Sequence, residues 1–74
     1  MSRKESNILK FTIAVVAEFA AHFNISQRQA FNYLNRFLGL QYLLEYYEVL
    51  HTLSFADNIE AMTSICNQNG GELR

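Results

Sequence analysis

Apolar residues recur every three or four positions in four segments of the chain, which is the spacing of one face of a helix. The last segment shows this most clearly, because Phe55, Ile59, Met62 and Cys66 form one stripe and polar side chains lie opposite. The pattern predicts an all-α fold, a small compact bundle of about four helices. The four helices are predicted near residues 3–23, 26–38, 40–51 and 54–69.

The helix ends are predicted from residues with special backbone roles. Ser2, Ser26 and Ser54 each precede a Glu, Gln or Asp by three positions, which is the spacing of an N-terminal cap. Gly39 is expected in the left-handed conformation that ends the second helix. The pair Gly70–Gly71 is expected to end the fourth helix.

The chain is short for the apolar content that it carries. Its 74 residues, 8.6 kDa, leave room for one small domain, residues 1–74. Half of the residues are apolar, including six Phe and four Tyr. The core is predicted to contain Phe19, Phe23, Leu34, Leu43, Tyr47, Ile59 and Met62. The remaining apolar side chains are expected to face a partner protein or a second copy of the chain.

The third segment is apolar around much of its circumference. In a helical projection its core face consists of Leu40, Leu43, Leu44, Tyr47 and Leu50. A second apolar strip lies beside that face. Two interpretations stay open: either this helix is central in the bundle, or the second strip contacts a partner.

We name this second strip the tyrosine strip; it consists of Tyr42, Tyr46 and Val49, flanked by Glu45 and Glu48. Tyrosine suits a surface that is apolar at the ring and hydrated at the hydroxyl, which is typical of protein interfaces. The tyrosine strip is therefore the predicted partner-binding surface, and the two carboxylates are predicted to form its rim.

The sequence contains no pattern typical of a catalytic, metal or cofactor site. Glu45 and Glu48 lie on the polar face, where a solvated carboxylate is the usual outcome. His22, His51 and Cys66 lack the close spacing of zinc ligands. We expect the histidines to interact with helix ends and the cysteine to be a buried thiol. The expectation is a protein that is not an enzyme and holds no cofactor or metal.

The cellular location is predicted from the signals for secretion and membrane insertion that the sequence lacks. A single cysteine gives no internal disulfide, and no segment has the pattern of a secretion signal. The longest apolar stretch, residues 11–21, is interrupted by Glu18 and is shorter than a membrane span. A cytoplasmic location is therefore predicted, with no membrane as partner.

Charge is distributed unevenly along the chain, although its net value is only −1. Arg28 and Arg36 lie on the second predicted helix and form a secondary candidate surface. The second and third helices around a short break are similar to a DNA-binding helix-turn-helix. The third helix, however, brings Glu45 and Glu48 and no cation, which opposes contact with phosphates. A small DNA-binding regulator is therefore kept as the alternative function, and nucleic acid is not the expected partner.

Three stretches resemble a known family in their order and spacing. They are "FNISQRQAFNYL", "LLEYYEVLHT" and "ADNIEAMTSICNQNGG", within residues 8–71, and Tyr47, Leu50, His51 and Thr52 are the most distinctive matches. The family is a group of short bacterial proteins known as domain of unknown function 3791.

This resemblance implies a setting but no established activity. Genes of such proteins often neighbour genes for proteins resembling ADP-ribosyltransferases, an arrangement typical of a toxin and its small neutralising partner. The resemblance therefore implies a protein-interaction module, antitoxin-like or accessory, whose partner is such a toxin. The excess of apolar residues adds a second copy of the chain as an alternative or additional partner.

Overall fold

Five helices account for most of residues 1–73, which are the residues that the computed structural model describes. They are α1 (Arg3–Phe23), α2 (Gln27–Arg36), α3 (Gly39–Glu45), α4 (Tyr47–Leu50) and α5 (Phe55–Gln68). No strand occurs in this part of the chain, so the predicted all-α class is confirmed. α1 is the longest helix and contacts α2, α3 and α5, and α3 packs between α2 and α5.

The predicted N-terminal caps are confirmed. Ser2, Ser26 and Ser54 precede α1, α2 and α5, and each hydroxyl accepts the backbone N–H three residues later, at 3.0–3.1 Å. Gln29 completes a capping box, because its side-chain oxygen accepts the backbone N–H of Ser26 at 2.9 Å. These bonds satisfy N–H groups that lack a partner within the helix.

The prediction for Gly39 is wrong. Leu38 takes the left-handed conformation between α2 and α3, with a φ of 69°, and Gly39 is the first residue of α3. A Cβ at this glycine would lie 2.8 Å from Cδ2 of Leu34 and 3.1 Å from Sγ of Cys66. Glycine is therefore required for the close approach of α3 to α2 and α5, and not for the turn.

The third predicted helix is divided at Tyr46. This residue has φ −107° and ψ 23°, so α3 ends before it and α4 begins after it. Hydrogen bonds continue across the break, because the N–H of Tyr46 donates to the carbonyl of Tyr42 and the N–H of Leu50 donates to Tyr46, both at 2.9 Å. A single helix over residues 40–51 was expected, and the backbone instead leaves the helical conformation at one residue in its middle.

The core lies where α1, α2, α3 and α5 meet. Five predicted core residues are buried: Phe19, Leu34, Leu43, Ile59 and Met62. Phe23 and Tyr47 were also predicted there, but both are half-buried, and Tyr47 packs edge-on against Phe11 with ring centroids 5.5 Å apart. Leu44 was placed on the core face of the third helix and is instead exposed. It borders a hollow between α1, α2 and α3 that no helix fills.

Residues 71–73, after the end of α5, pack against Tyr33 of α2. The hydroxyl of Tyr33 accepts the backbone N–H of Leu73 at 3.0 Å, and the N–H of Gly71 donates to the carbonyl of Cys66 at 2.8 Å. A side chain at Gly71 would collide with that hydroxyl. Gly71 therefore follows α5 as predicted, in a position where only glycine fits.

No single helix within residues 1–73 has the length and hydropathy of a membrane span; α1 and α2 meet these criteria only when taken together, across a bend of 105°.

Candidate protein-interaction surfaces

The tyrosine strip follows the junction of α3 and α4. Tyr42 is half-buried against the core, whereas Tyr46 is 46% exposed and Val49 is 60% exposed. The rings of Tyr42 and Tyr46 are in contact, with centroids 4.7 Å apart. The structure thus brings the two tyrosines together and leaves the outer half of the strip open to solvent.

The two flanking carboxylates differ in what they contact. Glu45 is exposed, and Glu48 forms an ion pair with Lys4 of α1, with Nζ and Oε1 2.9 Å apart. The hydrogen bond and charge of Lys4 lower the pKa of Glu48, and the same contacts raise the pKa of Lys4. Both side chains are exposed, so this pair adds little stability, but it directs Glu48 toward α1.

The secondary candidates Arg28 and Arg36 are both exposed on α2. The guanidinium of Arg36 lies 5.2 Å from the ring centroid of Phe37. Arg28 is two turns earlier, about 12 Å along the helix, where it borders a hollow against α1. The two arginines therefore belong to different environments.

A surface that the sequence patterns did not predict lies across α1, α2 and α3. We name it the apolar face; its exposed residues are Leu9, Ile13, Phe31 and Leu44, which are 47–56% exposed. Two adjoining hollows of about 370 and 320 Å³ open on it, and both are lined by Leu9, Thr12 and Phe31. A contiguous apolar surface of this kind is unusual on a protein that has no partner.

A second unpredicted surface is the acidic groove between the end of α1 and α5. It has a volume of about 790 Å³, and Phe23, Phe55 and Ile59 supply its apolar floor. The carboxylates Glu18 and Glu60 line it, and no Lys or Arg does so among the described residues. Phe55, which was predicted to lie on the core stripe of the last helix, is 44% exposed at this groove.

A weak sequence signal existed for both surfaces. Leu9 and Ile13 are four residues apart and lie beside the main stripe of α1, and Phe31 lies beside the stripe that Ala30 and Leu34 form on α2. Phe55 directly follows the capping serine and therefore lies at the outer end of its stripe. These positions indicate apolar groups that one core does not need.

The candidate metal ligands, His22, His51 and Cys66, do not come together in the fold, and Cys66 is also the candidate nucleophile. Within residues 1–73, no three His, Cys, Asp or Glu side chains lie close enough to hold a metal ion. Cys66 is fully buried as predicted, and burial raises the pKa of its thiol to about 11, against the smaller opposing effect of the N–H of Gly39.

The two histidines lie at helix ends, as predicted. Nδ1 of His51 is 2.8 Å from the carbonyl oxygen of Tyr47, and the imidazole stacks on that tyrosine ring. His22 lies in the last turn of α1 and packs edge-on against Phe23, while backbone N–H groups satisfy the helix carbonyls there. Neither imidazole is placed beside a nucleophile.

The comparison with protein families decides where the chain belongs. Residues 10–69 match the model of the family described as "Protein of unknown function (DUF3791)". The chain belongs to this family. The matched DUF3791 region contains most of the apolar face and the residues that form the floor of the acidic groove. Comparison with curated proteins and with solved structures finds no significant match.

Proposed function

We propose that this DUF3791 chain is a non-catalytic protein-interaction module, antitoxin-like or accessory, for an ADP-ribosyltransferase-like toxin encoded nearby. The observation that carries the proposal is the acidic groove, a concavity of about 790 Å³ on the described surface. It combines an apolar floor with a few polar groups, the composition typical of a binding site. The family resemblance supplies the class of partner.

The chemistry of the groove defines the segment that it would bind. The apolar floor, Phe23, Phe55 and Ile59, suits a partner helix whose apolar side chains are three or four residues apart and lie in the groove. Glu18 and Glu60 suit Lys or Arg beside those apolar side chains and would speed association with such a segment. The partner segment is therefore an amphipathic helix with a cationic rim. The tyrosine strip stays a predicted second contact.

Co-expression of the tagged chain with the neighbouring ADP-ribosyltransferase-like protein tests the proposal. We expect the two to co-purify, and we expect Phe55→Ser to weaken the complex about 30-fold, as an interface hot spot does. Reversal of Glu18 and Glu60 to Lys is expected to slow association. Leu53→Ser is the matched control, because Leu53 is equally exposed and lies outside the groove. Absence of co-purification, or equal loss with the control, contradicts the proposal.

The alternative of a small helix-turn-helix-like DNA-binding regulator receives less support. In that interpretation α3 is the recognition helix, and its seven residues include Glu45 and no Lys or Arg. Recognition helices normally present cations to phosphates and amides or cations to bases, and α3 offers one exposed amide, Gln41, and no cation. A salt-dependent shift of DNA mobility by the purified chain, lost on Arg28→Ala, would favour this alternative.

A further inference from the structure

The apolar face carries opposite charges at its two ends. Glu5 lines the hollow that also contains Leu44, and Arg28 lines the hollow that also contains Ile13. Leu9, Thr12 and Phe31 line both hollows and therefore mark the centre of the face. Glu5 precedes Ile13 by two turns of α1, which is about 12 Å. The face thus runs from an acidic end, across an apolar centre, to a basic end.

We propose that a second copy of the chain covers the apolar face in a two-fold symmetric dimer, in which Glu5 of each copy meets Arg28 of the other. A two-fold axis through the centre of the face exchanges its ends, so the acidic end of one copy lies on the basic end of its partner. In a symmetric interface the same surface is used twice, and it must be complementary to itself. The apolar face meets this condition in both charge and hydrophobicity.

The unpaired charges at the ends support this occupant. Within residues 1–73 the ion pair formed is that of Lys4 with Glu48, which leaves Glu5 and Arg28 without a charged partner. Glu5 contacts only a neutral group there, because its Oε1 accepts the hydroxyl of Ser2 at 3.1 Å. A second copy supplies a cation at one end of the face and a carboxylate at the other, together with apolar side chains for the centre.

The dimer is independent of the proposed partner site. The acidic groove shares no lining residue with the two hollows of the apolar face. Dimerisation therefore leaves one groove open on each copy. The two proposals can fail separately, because groove variants leave the dimer intact and variants of the apolar face leave the groove unchanged.

Sedimentation equilibrium of the full chain at low ionic strength tests the dimer, since its mass is twice the 8.6 kDa of one copy. We expect wild type to be dimeric at about 100 µM and Leu9→Ser with Phe31→Ser to be monomeric and folded at that concentration. Glu5→Arg and Arg28→Glu are each expected to raise the dissociation constant at least about tenfold. Each variant places like charges together, and the two-fold axis puts this repulsive contact at both ends of the interface. The double variant Glu5→Arg with Arg28→Glu is expected to return the dissociation constant to within about threefold of the wild-type value.

Matched controls separate pairing from general effects of charge and polarity. Arg36→Glu reverses a charge on α2, the helix of Arg28, outside the apolar face, and Leu53→Ser removes an exposed apolar group elsewhere. Both controls should dimerise as wild type does. A wild-type monomer, a dimer that survives Leu9→Ser with Phe31→Ser, or a double charge reversal that does not restore association would each overturn the proposed dimer.

Discussion

Asn58 is the polar residue that is fully buried within residues 1–73. Its side-chain nitrogen donates to the carbonyl oxygens of Leu50 and Ser54, both at 2.9 Å. These bonds connect the end of α4 to the start of α5, and they add to the backbone N–H groups of Leu53 and Asn58 that the same two carbonyls accept. The residue pattern alone does not predict this role, because Asn58 borders the apolar stripe of Phe55 and Met62 and the pattern does not show which carbonyls its amide reaches.

Replacement of that amide by a carboxylate should destabilise the fold. Asn58→Asp removes the donor and places an acceptor against two carbonyl oxygens, so the free energy of unfolding should fall by about 3 kcal/mol or more. Asn35→Asp is the control, because Asn35 is exposed on α2. Urea denaturation measures both variants. Equal stability of the two would show that the hydrogen bonds of Asn58 are unimportant.

The buried thiol of Cys66 should make the stability of the fold depend on pH in the alkaline range. Burial raises the pKa of its thiol to about 11, above the value of about 8.5 in an unfolded chain. The neutral thiol therefore favours the folded state fully below about pH 8.5, and this contribution is lost as pH rises toward 11. We expect the stability advantage of wild type over Cys66→Ala to shrink between those values in urea denaturation. An advantage that grows or stays constant would contradict the burial of the thiol.

At the scale of elements, the sequence predicted helices better than it predicted their junctions. The serine caps act through neighbours three residues away, so their pattern is visible in the chain. The break at Tyr46 has no glycine or proline to mark it, and hydrogen bonds continue across it. Gly39 was expected in the left-handed turn, but Leu38 takes that conformation. Glycine is required at position 39 because a side chain there would meet Leu34 and Cys66, and the local sequence does not show those contacts.

The left-handed conformation of Leu38 gives a testable prediction for the junction of α2 and α3. A residue with a Cβ is strained there by about 1 kcal/mol relative to glycine. Leu38→Gly should therefore be more stable than Leu38→Ala by about that amount, since both variants lose the same leucine contacts. Thermal unfolding of the two variants measures the difference. If alanine proves the more stable, the left-handed turn is absent in solution.

At the scale of the whole molecule, the site was harder to predict than the fold. The sequence indicated an excess of apolar residues, and the structure leaves large apolar side chains exposed on several surfaces. Which residues are exposed depends on how α1, α2, α3 and α5 cross, and a projection of one helix does not contain that information. For this reason Leu44 and Phe55 were assigned to core faces although they border open hollows.

Amide hydrogen exchange of the chain, alone and mixed with the proposed ADP-ribosyltransferase-like partner, tests the central claim most directly. A partner in the acidic groove should slow exchange near the end of α1, residues 18–23, and in the first half of α5, residues 55–64. Exchange in α3 and α4 should change less. Slower exchange confined to the tyrosine strip, or no change in any helix, would contradict the groove as the partner-binding site.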